Sequence, residues 1–391
     1  MKALAPTAFL LAVSTVPLAA ADLKWRPVWE IPQADFRLKL TGYLMQDFSA
    51  YPNWSVEEGE RIDSHELERA RLGFELKWRR LQVEFDVDAG DDEERLKDLF
   101  VDFEIRKHLS VQAGNFKPPF SREFRTPPRR LDFIRRSVLA EEAAPRRDLG
   151  VMVHGEFLRR LDYAVGVFAG DGRDKAFRAD TTVAARVVVK VTKQLDVGAS
   201  FTAGNVRADP AAEPAPDPHG LRGKGPTGFI FFDRHYVNGS RRRWDVEAAY
   251  EKGRVTLKTE VLRATEERLG QGSAFDDLPD VVSTGWAVSG IWLVSGDKRK
   301  KTIELSARYE SLRFDDAGAD RGFSGAGDRA RNIRPAGDRV LTTGVSWWPS
   351  AWVRLMGNLV LERYEDPLLA PEPQRAGNYV SLLARIQVQI P

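Results

Sequence analysis

Between Lys117 and Asp148 the chain gathers nine basic side chains: Lys117, Arg122, Arg125, Arg129, Arg130, Arg135, Arg136, Arg146 and Arg147. Five acids share the segment, Glu123, Asp132, Glu141, Glu142 and Asp148, leaving a local excess of four positive charges. Guanidinium and ammonium groups at this density attract anions and hold them by charge-assisted hydrogen bonds. Pro118, Pro119, Pro127 and Pro128 stiffen the first half of the segment and keep it out of a sheet, because proline fixes φ and has no N–H. Lys117, Arg122, Arg125, Arg129, Arg130, Arg135, Arg136 and Arg147 are the expected anion-binding residues. A second reading stays open for the arginines: a solvated loop face, or pairing with Glu141, Glu142 and Asp148, which contributes little.

Other chemistry is sparse. Cysteine is absent, which excludes disulfides, thiolate metal sites and cysteine nucleophiles. Of His65, His108, His154, His219 and His235, only His154 falls on the polar face of a predicted strand, where a serine or carboxylate could join it, and no nucleophile motif accompanies it. The others read as turn or loop histidines. No zinc spacing or glycine-rich phosphate loop occurs. Asp171, Asp174, Asp315, Asp316, Asp320 and Asp328 read as turn formers before calcium ligands. With 59 basic and 57 acidic residues the net charge is +2, so no global imbalance points to nucleic acid. The expectation is no catalytic residue, no metal and no cofactor.

The elements that must position these groups follow from two patterns. Lys2, an apolar run from Ala3 to Val16 and the small residues before Asp22 make residues 1–21 a predicted secretory signal peptide, leaving 22–391 as one domain. The remainder alternates with period two: Ala70, Leu72, Phe74, Leu76 and Trp78 against Arg71, Gly73, Glu75 and Lys77. That is a strand with one oily and one wet face. The same pattern predicts strands at 36–49, 66–78, 81–88, 96–106, 109–116, 149–158, 161–169 and 181–193. It continues at 195–203, 242–252, 254–265, 281–294, 301–313, 338–348, 351–363 and 377–390. Short links such as Arg79-Arg80 and Lys107-His108 alternate with long polar connections. Sixteen antiparallel strands with short periplasmic turns and long extracellular loops make a transmembrane β-barrel, with an apolar face to lipid and a polar face to a channel. Phe229–Val237 is apolar enough for another strand, but an even count requires 204–241 to be one extracellular loop, folded inward or extending a strand. Trp78, Tyr163, Trp244, Trp347, Trp348 and Trp352 are expected near the turn end, and Phe48, Tyr51, Phe116, Phe168, Phe314 and Tyr364 near the loop end, as two aromatic girdles.

The residues leading into and out of the basic segment resemble the phosphate-selective porin O and P family. The likeness rests on Leu96-Lys97-Asp98, then Val111-Gln112-Ala113-Gly114-Asn115-Phe116-Lys117-Pro118-Pro119-Phe120-Ser121, then Phe133-Ile134-Arg135-Arg136-Ser137. It runs on through Ala144-Pro145-Arg146-Arg147-Asp148-Leu149-Gly150-Val151 to Tyr163-Ala164-Val165-Gly166-Val167-Phe168-Ala169-Gly170-Asp171-Gly172. The resemblance implies a homotrimeric porin in the outer membrane of a Gram-negative bacterium, in contact with outer-membrane lipid. Its third loop, about 117–148, would fold into the lumen and pass small anions such as phosphate. Lys117 carries over most directly, Arg135, Arg136 and Arg147 more loosely, and the motif serves either the solute or the loop's own fold. Two features stand against a phosphate-specific pore. Glu84, Asp86, Asp88, Asp98, Asp102 and Glu104 make part of the predicted wall negative unless Arg69, Arg71 and Arg106 neutralise them, and Pro391 stands where such barrels end in an aromatic residue. A sugar or peptide channel with Tyr43 on its track, or a barrel hydrolase using His154, are the alternatives.

Overall fold

The computed structural model describes residues 27–51, 64–92, 94–170, 181–207, 218–272, 275–297, 300–316, 335–365 and 379–390. The predicted signal peptide and Asp171, Asp174, Asp320 and Asp328 lie outside them. Sixteen strands close into one antiparallel barrel. They are β1 (Phe36–Ala50), β2 (Ser64–Trp78), β3 (Leu81–Asp88), β4 (Leu96–Arg106), β5 (Leu109–Phe116), β6 (Asp148–Phe157), β7 (Leu161–Phe168) and β8 (Thr182–Lys190). The second half comprises β9 (Leu195–Val206), β10 (Gly239–Lys252), β11 (Val255–Arg268), β12 (Leu278–Asp297), β13 (Lys300–Asp316), β14 (Ala336–Trp347), β15 (Val353–Tyr364) and β16 (Tyr379–Gln389). Each strand pairs with its neighbours in sequence, and β16 pairs with β1 from Leu382↔Ala50 to Gln389↔Tyr43, which closes the ring. A short strand, Val28–Ile31, pairs with Phe36–Lys39 and continues the edge of β1 past the point where β16 ends.

Alternation sets which face each residue takes. Along β2, Leu72 and Trp78 are exposed on the outside while Arg71 is buried inside, and β6 repeats this with Leu149, Val151 and Val153 outside and His154 inward. Such an apolar exterior is stable only against lipid. Several strands run further than their oily faces: β2 starts at Ser64 and β10 at Gly239, where polar residues occupy both faces.

The principal apolar core lies inside the barrel, against β11–β16. There the wall's Leu262, Leu312, Phe314, Val340 and Met356 meet Phe120, Ile134, Val138 and Leu139 from the connection between β5 and β6. Phe231 and Phe232, from the connection between β9 and β10, join the same cluster. The second connection adds no barrel strand. It forms a small hairpin, Gly223–Lys224 with Ile230–Phe232, whose Phe232 ring stacks on Phe314 at 4.1 Å. The girdle expectation therefore needs correcting: Phe48 faces outward, but Phe116, Phe168, Phe314 and Tyr364 are buried within the barrel because inward segments and neighbouring rings cover them. Trp244 is also outward, but it pairs with Phe201 and Arg263 nearer the loop end than the turn end.

Candidate functional site

The basic segment leaves β5 through Gly114, whose φ of +139° suits glycine and where a Cβ would lie 2.3 Å from the Leu99 carbonyl oxygen. Asn115 Nδ2 then donates to the Lys97 carbonyl at 2.6 Å. At Ser121 (φ 54°) the chain turns inward and caps a single helical turn, Arg122–Arg125, its Oγ accepting from Phe124 N. That strained residue is held from the opposite wall. Ser121 N donates to Ser200 Oγ on β9 at 3.1 Å, and Glu260 Oε1 on β11 accepts from Ser121 Oγ (2.9 Å), Arg122 N (2.6 Å) and Glu123 N (3.1 Å).

The segment then crosses the interior, anchored at each step. Arg354 Nη1 on β15 donates to the Leu131 carbonyl at 2.7 Å, and Ile134 N donates to Asn358 Oδ1 at 2.8 Å. Gln387 Nε2 on β16 donates to the Arg129 carbonyl at 3.2 Å. On β13, Glu310 Oε2 accepts from Val138 N at 2.7 Å. Its neighbour Arg308 reaches Glu123 Oε1 at 3.0 Å and the Arg136 carbonyl at 3.1 Å, with its guanidinium 4.5 Å from the Phe133 ring centroid. A second one-turn helix, Val138–Glu142, is capped by Ser137.

Because the segment docks on β9–β16, open space remains on the other side. A cavity of about 290 Å³ lies between it and the wall of β1–β6. Arg71, Lys117, Arg125, Arg129 and Arg147 line it together with Glu75, Glu84, Asp86 and Asp98, five cationic groups against four acidic. A larger cavity, about 450 Å³, lies above the segment beneath the 223–232 hairpin. It holds Arg69, Arg135, Arg136, Arg222, Lys224 and Arg385 against Glu66, Glu68, Glu141 and Glu142. Both cavities carry a small positive excess, opposed by fixed carboxylates.

The eight basic residues singled out from the sequence divide into groups. Lys117, Arg125 and Arg129 border the smaller cavity with no carboxylate oxygen within 4.0 Å among the described residues. Lys117 Nζ donates to the Phe124 carbonyl and sits 4.4 Å from that ring's centroid. Burial, followed by the nearby Arg136 and Arg147 charges, holds its ammonium well below the ordinary lysine range. Arg147 also borders this cavity but forms a two-pronged pair with Asp98, at 3.0 and 2.8 Å. Arg135 pairs with Glu68 (2.6 Å) and Glu66 (2.8 Å), and Arg122 with Glu247 (3.5 Å). Arg136 donates to the Thr126 carbonyl in the upper cavity, while Arg130 is exposed and borders neither cavity. The partners of the paired arginines are mostly wall acids, not Glu141, Glu142 and Asp148. Glu142 pairs instead with Arg222, and Asp148 accepts from Gly170 N.

Sequence reasoning missed the wall residues that fix the segment, above all Glu260, Arg308, Glu310 and Asn358. Their inward parity was available, but the strand they would face was not. The acidic wall is neutralised partly as expected: Arg71 pairs with Asp88 (2.9 Å) and Asp86 (3.2 Å), and Arg69 with Asp88 (3.5 Å). Arg106 joins no such pair among the described residues. Glu84 faces the cavity without a cation within 4.0 Å among the described residues. Tyr43 also borders it, with Arg71 5.7 Å from its ring centroid. His154 Nε2 lies 2.5 Å from Asp102, and among the described residues no hydroxyl hydrogen-bonds to it. His235 is not a solvated loop histidine: it is buried, 3.0 Å from Glu266.

Solved structures share this architecture. An anion-selective porin from Comamonas acidovorans superposes with a TM-score of 0.61 at 12% identity, covering 90% of this chain and 99% of that one. OmpT of Vibrio cholerae gives 0.61 at 9% identity, covering 93% and 99%. The outer membrane channel DcaP of Acinetobacter baumannii gives 0.60 at 10%, covering 92% and 99%. No curated protein matches the chain. At these identities the likeness establishes the barrel fold. The profile of the phosphate-selective porin O and P family, in contrast, matches residues 38–390, nearly the whole sequence, and the chain therefore belongs to that family, as a porin of the Gram-negative outer membrane.

Proposed function

We propose that the pore passes small anions, phosphate or a similar oxyanion among them, and that Lys117, Arg125 and Arg129 set this preference at the narrow cavity. The observation that carries the reading is the asymmetry of pairing there: these three cations have no carboxylate within 4.0 Å among the described residues, whereas Asp86 and Asp98 are each engaged by an arginine. An anion entering from the extracellular side first meets the six cations of the upper cavity, then slides past the basic segment along the β1–β6 wall. Its shed hydration is replaced by guanidinium and ammonium donors, while the wall carboxylates keep binding weak enough for release. Arg122 and Arg135 anchor the loop through their acids, and Arg147 fixes the loop's exit on Asp98. The porin named after anion selectivity in Comamonas acidovorans, and the family's own description, support the reading. The assembly is proposed as a homotrimer on the same family grounds.

Purified protein in a planar bilayer under a chloride gradient tests it. The expected result is discrete conductance steps with an anion-selective reversal potential, moved toward cation selectivity by the double variant Arg125→Gln/Arg129→Gln. A cation-selective wild-type pore, or a double variant with an unmoved reversal potential, would sink the proposal.

A further inference from the structure

The outer face of the barrel is not uniform around its circumference. On β10, β11, β13, β14 and β15 an arginine occupies an outward position close to the loop end: Arg242, Arg263, Arg313, Arg339 and Arg363. All five are exposed. Below them the same faces are apolar, as at Val246, Leu257, Val261, Leu341 and Leu359. On β6, β7, β8 and β16 the corresponding outward positions are aliphatic: Leu149 and Val151 on β6, Val165 and Val167 on β7, Val183 on β8, Leu382 on β16.

Charge on a lipid-facing strand is costly at mid-membrane and nearly free at the interface, so these side chains belong at headgroup depth, their stems lying along the apolar face. Three are partly answered by acids: Arg313 by Asp315 (2.8 Å) and Glu365 (3.1 Å), Arg339 by Glu365 (3.0 Å), Arg242 by Glu267 (3.6 Å). Arg263 and Arg363 have no carboxylate within 4.0 Å among the described residues. Arg339 and Arg363 are moreover direct cross-strand partners on one face. Like charges so placed repel, unless an anion lies between them.

We infer that this arginine belt binds the phosphate groups of an outer-leaflet glycolipid, fixing lipid against β10–β15. Guanidinium forks suit phosphate oxygens, and the free fork of Arg263 on β11, with the like-charged pair of Arg339 and Arg363 on β14 and β15, leaves a requirement for negative charge that the described residues do not meet.

The test uses the folded, detergent-purified porin and bisphosphorylated lipid A, read by native mass spectrometry and by thermal unfolding. Bound lipid A and a raised unfolding temperature are expected, with dephosphorylated lipid A and inorganic phosphate giving neither. Arg263→Gln/Arg363→Gln should weaken lipid A binding roughly thirty-fold, and Lys at both positions should restore most of it. Conductance should be unchanged, since both side chains are outside the lumen. Equal binding of the dephosphorylated lipid would overturn the inference on wild-type protein alone, whatever the variants do. So would stabilisation by inorganic phosphate equal to that by lipid A. A double variant that loses subunit assembly while binding lipid A normally would reassign the belt to a protein contact and equally overturn it.

Discussion

The two halves of the inner wall use the same residue types for different work. On β9–β16, carboxylates and guanidiniums spend their hydrogen bonds on the backbone of the inward segment: Glu260 on two amides and a hydroxyl, Glu310 on Val138 N, Arg354 on the Leu131 carbonyl. On β1–β6 they pair with one another or with the segment's side chains, as Arg71 meets Asp86 and Asp98 meets Arg147, and Glu84 has no cation within 4.0 Å among the described residues. A charged inner wall is therefore not by itself a selectivity device. On the proposed reading one half is scaffold, and the other is what a passing ion senses.

The largest expected effect tests the scaffold half. Glu260→Ala removes three hydrogen bonds to a buried carboxylate, on the order of 4 kcal/mol of docking energy. The inward segment should loosen, raising single-channel conductance and its noise. Glu260→Gln keeps an acceptor oxygen and should stay close to wild type. If the alanine variant conducts as wild type does, the division between halves fails. On the open half, Glu84→Gln should leave stability within about 0.5 kcal/mol. It should also raise the anion-to-cation permeability ratio by at most about threefold, the limit set by ~0.7 kcal/mol for full unit charges about 6 Å apart in water. A reversal potential unmoved by that change would show that the wall carboxylate is not felt by the ion. The smallest effect concerns pH. Since burial and two arginines push the Lys117 ammonium well below the ordinary lysine range, alkaline pH should discharge it and lower the anion preference. Lys117→Arg should flatten that dependence between neutral and alkaline reversal-potential measurements.

The barrel was legible because lipid imposes a strict period of two, and all sixteen predicted spans correspond to observed strands. Their ends were less so: β12 runs Leu278–Asp297 where alternation indicated 281–294, since beyond the membrane nothing forces one face to be oily. The inward fate of Phe116, Phe314 and Tyr364 was hidden for a different reason. Each keeps the parity of its polar inward neighbours, as Phe314 does with Arg308 and Glu310, and apolar residues at that parity signal that something covers the wall. Phe116 is covered by the wall rings Phe100 and Phe168, and the pieces that cover Phe314 and Tyr364, Val138–Glu142 and the 223–232 hairpin, are too short and irregular to show a period. Of the basic segment, its density and stiffness were readable. Which arginines would be spent on wall acids was not, because Glu66, Glu68, Asp98 and Glu247 come from strands whose register alone brings them within reach.

The anchors of the inward segment also carry a timing. Ser121 is fastened by a residue 139 positions further along the chain, Val138 by one 172 away, Ile134 by one 224 away and the Arg129 carbonyl by one 258 away. Each of these contacts closes a very long loop, and such closures come late and slowly. The docking of the inward segment is therefore finished only when the last strand arrives. A chain stalled before β15, or sealed one residue out of register, would present a ring without its docked segment, which makes the narrowness of the pore a record of correct assembly.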